Sequence, residues 1–115
     1  MSMFTDTVQS GVERALDAVA MRQRVTADNI ANAMTPGYGA QRVDFEASLS
    51  AAMRSGEPEH APVTVRGTGD AGRLDRNNVN LEQELQKEMR TGLQYQSLVE
   101  AANHKLGLLR TAIGG

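Results

Sequence analysis

Gly67-Thr68-Gly69-Asp70-Ala71-Gly72 carries the spacing G-x-G-x-x-G. In dinucleotide-binding proteins that spacing lets backbone amides and a helix N-terminus approach a pyrophosphate. The chemistry needs a buried strand before the loop and a helix opening on its last glycine. Here Arg73-Leu74-Asp75-Arg76-Asn77-Asn78 follows, which has no amphipathic helical pattern, and the Asp70 carboxylate would repel a phosphate. The motif without its context carries little weight. His60 and His104 are the only histidines, one in a stretch of linker composition and one on a helical pattern, with no H-E-x-x-H arrangement to build a metal site. No G-x-S-x-G elbow presents a serine nucleophile, and the absence of cysteine excludes thiolate chemistry and disulfides. Catalytic, cofactor and metal sets are therefore expected to be empty, and the chain is not expected to be an enzyme.

The polar chemistry that remains is that of amides. Asn29 and Asn32 are three residues apart and share a face if a helix runs that far. Amides on a helix end are costly to bury without partners and can serve to select one. Thr35-Pro36-Gly37-Tyr38 follows directly. The proline pushes Thr35 toward extended angles. Pro36 then fixes φ at the first centre of a four-residue turn, and Gly37 supplies the positive φ that a type II turn needs at the second. Two readings stay open: a helix that ends in polar residues and a turn, or a recognition element made of Asn29, Asn32, Thr35, Pro36, Gly37 and Tyr38.

Two long helical patterns position these groups. Across residues 5–34, Val8, Val12, Leu16 and Val19 recur at steps of three and four and the pattern resumes at Ile30, with Gln23 interrupting the apolar face. Ser10-Gly11-Val12-Glu13 fits a capping box, so the helix is secure from Ser10 and conditional before it. Across residues 80–113, Gly92, Tyr95, Val99, Ala102, Leu106, Leu109 and Ile113 alternate steps of three and four, a heptad seam. Leu81 and Leu85 extend the seam N-terminally, with Glu88 as its flaw. Asn80 caps the start with Gln83 three residues on, Glu82 and Glu84 suit the dipole at that end, and Gly114-Gly115 forms a C-cap.

Between the two patterns the chain is irregular. Phe45, Leu49 and Met53 predict a short helix over residues 43–53, residues 55–62 read as linker, residues 62–66 as a short strand, and residues 67–78 as a segment mobile unless a partner orders it. The expected fold is mainly α. Two long terminal helices form an antiparallel coiled-coil-like pair around an irregular middle with a short helix and a short strand. Residues 1–38, 39–79 and 80–115 are its three parts, together one domain.

Composition bounds the partners. The chain has 115 residues, 40% of them hydrophobic but only 3% aromatic, so Leu, Val, Ala and Met must supply the burial. That suits helix-on-helix packing or an interface completed by other subunits, and the heptad seam fits an intramolecular or an intermolecular core. A net charge of −2 gives no electrostatic case for nucleic acid. Residues 4–34 hold four acids against three arginines, net −1, unlike the cationic helices that lie on membranes. No run of eighteen apolar residues spans a membrane, and Met1-Ser2-Met3-Phe4-Thr5-Asp6 lacks the basic run and apolar core of a secretory signal.

Asn29-Ile30-Ala31-Asn32-Ala33-Met34-Thr35-Pro36-Gly37-Tyr38 resembles the N-terminal motif of bacterial flagellar rod and hook axial proteins. Ala40-Gln41-Arg42-Val43-Asp44-Phe45, the opening Asn78-Val79-Asn80-Leu81-Glu82 and the runs at residues 93–98 and 105–113 resemble the proximal-rod members in particular. Met34 stands where Asn or Asp is common and Gly39 where a longer polar residue is frequent, and residues 51–77 match nothing. The resemblance implies a structural subunit of the basal-body rod, self-associating and packed among other rod subunits, with both terminal helices in the inner layer. It also implies contact with export-gate and adaptor proteins of the basal body, and export by the flagellar type III apparatus without signal cleavage. On this reading Asn29, Asn32 and Thr35 to Tyr38 form an assembly motif, and Tyr95, Val99, Ala102, Leu106, Leu109 and Ile113 a packing seam. The alternative is a cytoplasmic helical adaptor or chaperone-like binding module.

Overall fold

The computed structural model describes residues 2–114, with side chains described for residues 6–104 and for Thr111. Helix α1, Ser2–Ala31, is followed by strand β1, Gln41–Asp44, and helix α2, Glu46–Ser55. A single 3-10 turn at Pro58–His60, strand β2, Thr64–Gly67, and helix α3, Leu81–Gly114, complete the order. At about 1.5 Å per residue, α1 and α3 are each roughly 45–50 Å long. They pack antiparallel: Asn29 meets Glu84, Arg22 meets Gln94, and Leu98 packs on the cluster around Ala15, Ala18 and Val19. The molecule is a slab of 63 × 26 × 14 Å, scarcely thicker than one helix with its side chains.

Helix α1 runs straight through the capping box read at Ser10 and reaches back to Ser2. Gly11 is there for a different reason. A Cβ at this position would collide with the Met53 sulfur of α2 and touch Pro58, so glycine allows the middle segment to lie against the helix. At its other end α1 stops at Ala31, three residues short of the periodic pattern, because Asn32 begins the turn.

The middle contains a strand that the periodicity hid. Val43 and Asp44, expected to start a helix, belong to β1, which pairs antiparallel with β2 in the register Gln41↔Gly67 to Asp44↔Thr64. A strand of four residues gives alternation too little length to register. Phe45 then takes the N-cap position of α2 and is buried in the core. Residues 67–78, expected to be mobile unless a partner orders them, are bonded within the chain: the Thr68 amide donates to the Ala40 carbonyl and the Gly37 amide to that of Asp75.

Burial is carried by small residues, as the composition requires. Ala15, Ala18, Val19, Val43 and Phe45 form one cluster, with Val25, Leu49 and Leu98 packed against it; Ala33, Ala40 and Val79 form a second under Tyr38. Helix α3 contributes an unexpected face. In its first half the residues turned to α1 are Glu84 and Thr91, both buried, while Leu85, Met89 and Leu93 stand 50%, 72% and 65% exposed. Of the expected seam, Tyr95 is 38% exposed, and Val99 and Ala102 are half-buried. The side chains of Leu106, Leu109 and Ile113 lie outside the described residues, as does the C-cap at Gly115. Asn80 does cap α3, accepting from the Gln83 amide at 3.1 Å.

Candidate functional site

The corner where α1 ends and α3 begins collects a dense set of long-range polar bonds. Its first part is the turn. The Tyr38 amide donates to the Thr35 carbonyl at 3.2 Å, and Gly37 has φ +77°, the left-handed value of the third residue of a type II turn. Asn32 ends the helix: its amide side chain donates to the Asp28 carbonyl at 2.9 Å and its Oδ1 accepts the Thr35 hydroxyl at 3.1 Å.

Asn29, one helical turn earlier, is completely buried and uses its amide fully. Nδ2 donates to the Gln41 carbonyl at 2.8 Å and to Glu84 Oε2 at 3.1 Å. Oδ1 accepts the Gln41 amide at 3.0 Å and the Tyr38 hydroxyl at 3.2 Å. One side chain thus stands in for a strand partner of β1 and ties it to α3. Glu84 is itself almost fully buried, and its other oxygen takes Lys87 Nζ at 3.2 Å. Burial, then the charges of Asp28 and Glu84, push the Tyr38 hydroxyl above its ordinary pKa of 10.0, so Tyr38 stays a hydrogen-bond donor.

The loop before α3 closes the corner from the other side. Asn77, also completely buried, donates to the carbonyls of Asn32 at 2.8 Å and Thr35 at 2.7 Å and accepts the Val79 amide at 2.8 Å. Arg73 donates to the carbonyls of Ala33 and Val79. The open carbonyls just past α1 therefore receive an amide and a guanidinium, the partners that a helix C-terminus and its dipole favour. Asn78 Oδ1 accepts the Ala40 amide at 2.6 Å, which fastens the loop to the chain entering β1.

A second polar centre lies further along α1. Arg22 grips both oxygens of Glu46 at 2.7 and 2.9 Å, donates to the Val43 carbonyl at 2.6 Å, and lies 4.8 Å over the Phe45 ring. It joins α1 to β1 and α2 through one planar cation, which lysine could not do. The Arg22 hydrogen bond holds the Glu46 carboxyl below its ordinary 4.5 against the opposing pull of burial. A depressed folded-state pKa contributes stability above the unfolded value and loses it as pH falls through the folded one. Glu46→Gln should therefore leave a protein whose urea midpoint changes less than the parent's on acidification from neutral pH to about pH 3. With the Glu46 side chain 58% exposed, the difference is expected to be small.

The structure thus gathers all six residues of the expected assembly motif at one corner, but not in one role. Asn29 and Asn32 find their partners inside the chain, while Thr35, Pro36 and Gly37 face outward beside Met34, which is 86% exposed. Asn77, Glu84, Arg73 and Arg22 were not anticipated. The run Asn77-Asn78-Val79-Asn80 was the available signal, since three amides so close together seldom lack carbonyls to serve. Glu84 was hidden because an acid in a first turn is accounted for by the helix dipole alone. The G-x-G-x-x-G glycines close β2 and enter a turn with no helix behind them. Among the described residues no three His, Asp or Glu side chains are placed to hold a metal, and no helix is long and apolar enough to cross a membrane.

Comparison with known proteins follows the same landmarks. Residues 12–38, the last two-thirds of α1 through the turn, match the family described as "Flagella basal body rod protein". The flagellar basal body rod protein FlgB of Bacillus subtilis is 30% identical over 128 aligned positions that take in 100% of this chain and 98% of the relative. That of Cereibacter sphaeroides is 33% identical over 129 positions, 100% of this chain and 99% of the relative. That of Escherichia coli is 30% identical over 82% of this chain and 83% of its own length. With the likeness running through both long helices and the corner that joins them, this chain belongs to the FlgB family of flagellar basal body rod proteins.

Proposed function

We propose that the chain is a structural, non-catalytic subunit of the flagellar basal body rod, assembling with other rod and basal-body components through the outward faces of its long helices. The observation that carries this mechanism is the stripe Leu81, Leu85, Met89 and Leu93. Four large apolar residues at steps of four form one ridge on α3, and α1 packs on a different side of that helix. In a slab 14 Å thick no other described element covers that ridge. A contiguous apolar patch of this kind marks an interaction surface.

Two roles extend this reading. Tyr95, Val99 and Ala102 extend the surface of α3 toward the C-terminus and join the interface there, and the sequence pattern carries the same role to Leu106, Leu109 and Ile113, whose side chains lie outside the described residues. Asn29, Asn32 and Thr35 to Tyr38 act through rigidity: by bonding inward, the amides fix the angle at which the turn and Met34 are presented to a neighbour. Export-gate and adaptor components of the basal body are further partners, on the ground of the family alone.

The test is Leu85→Asp with Leu93→Asp. Both side chains are already at least half exposed, so the monomer should keep its thermal midpoint within the range of ordinary surface changes, about 0.5 kcal/mol. Incorporation into detergent-washed basal bodies and motility should be lost. Normal motility with this double substitution would sink the assembly role of the ridge.

A further inference from the structure

We propose that copies of this chain join head to tail, the acidic outer face of α1 in one copy seated in the cationic cleft of the next. This rests on the reading of the chain as an assembling subunit and names the unlike surfaces through which two copies meet. The cleft, about 430 Å³, lies between α1, β1 and α3 and is lined by Arg22, Arg42, Lys87 and Arg90 against two acids, Asp44 and Glu46. A local excess of two positive charges in a chain of net charge −2 is a local inversion of sign. Both acids are engaged, Glu46 by Arg22 and Asp44 by Arg66 at 2.6 Å. Lys87 is held by Glu84, whereas Arg90 is exposed and makes no hydrogen bond or ion pair with any described residue. The cleft's free charge is therefore positive.

The complement is on the same chain. Asp6, Glu13, Asp17 and Asp28 are all exposed on α1, and at 100° per residue they fall on the side opposite Ala15, Val19, Arg22 and Asn29. Arg24 is the one cation among them. Asp17 makes no side-chain hydrogen bond or ion pair with any described residue, while Asp28 already acts on Tyr38. Because the acidic face and the cleft lie on opposite sides of α1, no copy can bring its own acidic face to its own cleft. Acidic face against acidic face and cleft against cleft both repel, so a symmetric dimer through either is disfavoured. A contact between unlike surfaces is heterologous and leaves a free acidic face and a free cleft at the ends, which is the condition for open helical growth. Exposed ion pairs are individually weak, so these charges set direction and register, while the apolar ridge of α3 supplies adhesion.

Charge exchange in cells tests the pairing. The unsubstituted chain in detergent-washed basal bodies is the reference, and its absence there would fail the rod reading itself. With that reference present, Arg90→Glu should lower incorporation by about tenfold, a coupling of roughly 1.4 kcal/mol. Adding Asp17→Lys to the same chain should restore it to within about threefold of the parent, roughly 0.7 kcal/mol. Both residues are exposed, and unchanged circular dichroism of each purified variant separates assembly from folding. Normal incorporation of Arg90→Glu would overturn the proposal. So would a loss that Asp17→Lys does not relieve, which would assign the cleft to a different acidic partner. A second readout uses the lack of native cysteine. Basal bodies carrying Asp17→Cys and Arg90→Cys together, treated with a flexible bis-maleimide, should yield a ladder of linked copies, and incorporated protein without a ladder counts against the contact.

Discussion

Asn29→Asp is expected to cost about 3–5 kcal/mol of folding stability at neutral pH, although it changes one atom's identity and almost no volume. The amide donates to Glu84 Oε2 at 3.1 Å and to the Gln41 carbonyl at 2.8 Å. Aspartate turns both contacts into repulsions between acceptors, one of them between two carboxylates in a site where Glu84 is only 2% exposed. Lys87 is the one cation bonded there, and it is already committed to Glu84. Two close carboxylates cannot both ionise cheaply, so the pair takes up a proton more readily in the folded state than in the unfolded one. A raised folded-state pKa means that stability returns as pH falls. The deficit relative to the parent, read from urea unfolding, should therefore be largest at neutral pH and shrink on acidification toward about pH 5. Glu84→Gln in the same chain should recover part of the loss, a non-additivity that a double-mutant cycle measures directly. A deficit independent of pH, or additive with Glu84→Gln, would show that Asn29 does not act through Glu84.

Asn77→Ala is the second large expected loss, about 2–4 kcal/mol. Two bonds to the carbonyls of Asn32 and Thr35 disappear, and the buried Val79 amide loses its acceptor. Those carbonyls keep one backbone partner each, from the amides of Thr35 and Tyr38, so the orphaned Val79 amide dominates the cost. The damage should also be local. Amide hydrogen exchange should quicken through residues 28–40 and 73–80, while the centre of α1 around Ala18 and Val19 keeps its protection relative to global unfolding. Asn77→Asp should not rescue. It retains an acceptor for Val79 but brings a negative charge to the carbonyl end of α1, where the dipole opposes it. If incorporation into basal bodies fails in Asn77→Ala under conditions where the monomer remains folded, the rigidity of the corner matters for assembly as well as for stability.

These two residues mark the division between what was legible and what was not. The long helices, the type II turn, the Asn80 cap and the reliance on small core residues all follow from local rules. Apolar spacing, proline and glycine angles, and end-capping preferences act within a few residues of chain, so the sequence by itself determined them. The same is true of the motif at residues 29–38, whose family relationship is carried by residue identity. Tertiary structure decided the rest. Asn29 became a substitute strand partner because Gln41 and Glu84, 12 and 55 residues away, converge on it. Asn77 became the seal of a helix 42–45 residues upstream. Strand β1 exists because β2 lies beside it, and residues 68–80 are ordered because their amides and carbonyls find partners around the turn. The heptad pattern of α3 named an apolar face but could not say whether α1 would take it. In the first half of the helix α1 takes Glu84 and Thr91 instead, and Leu85, Met89 and Leu93 turn outward. A hydrophobic stripe states only that something must cover it. Which surface does so depends on the partners that long-range polar bonds bring into place, and no local rule contains them.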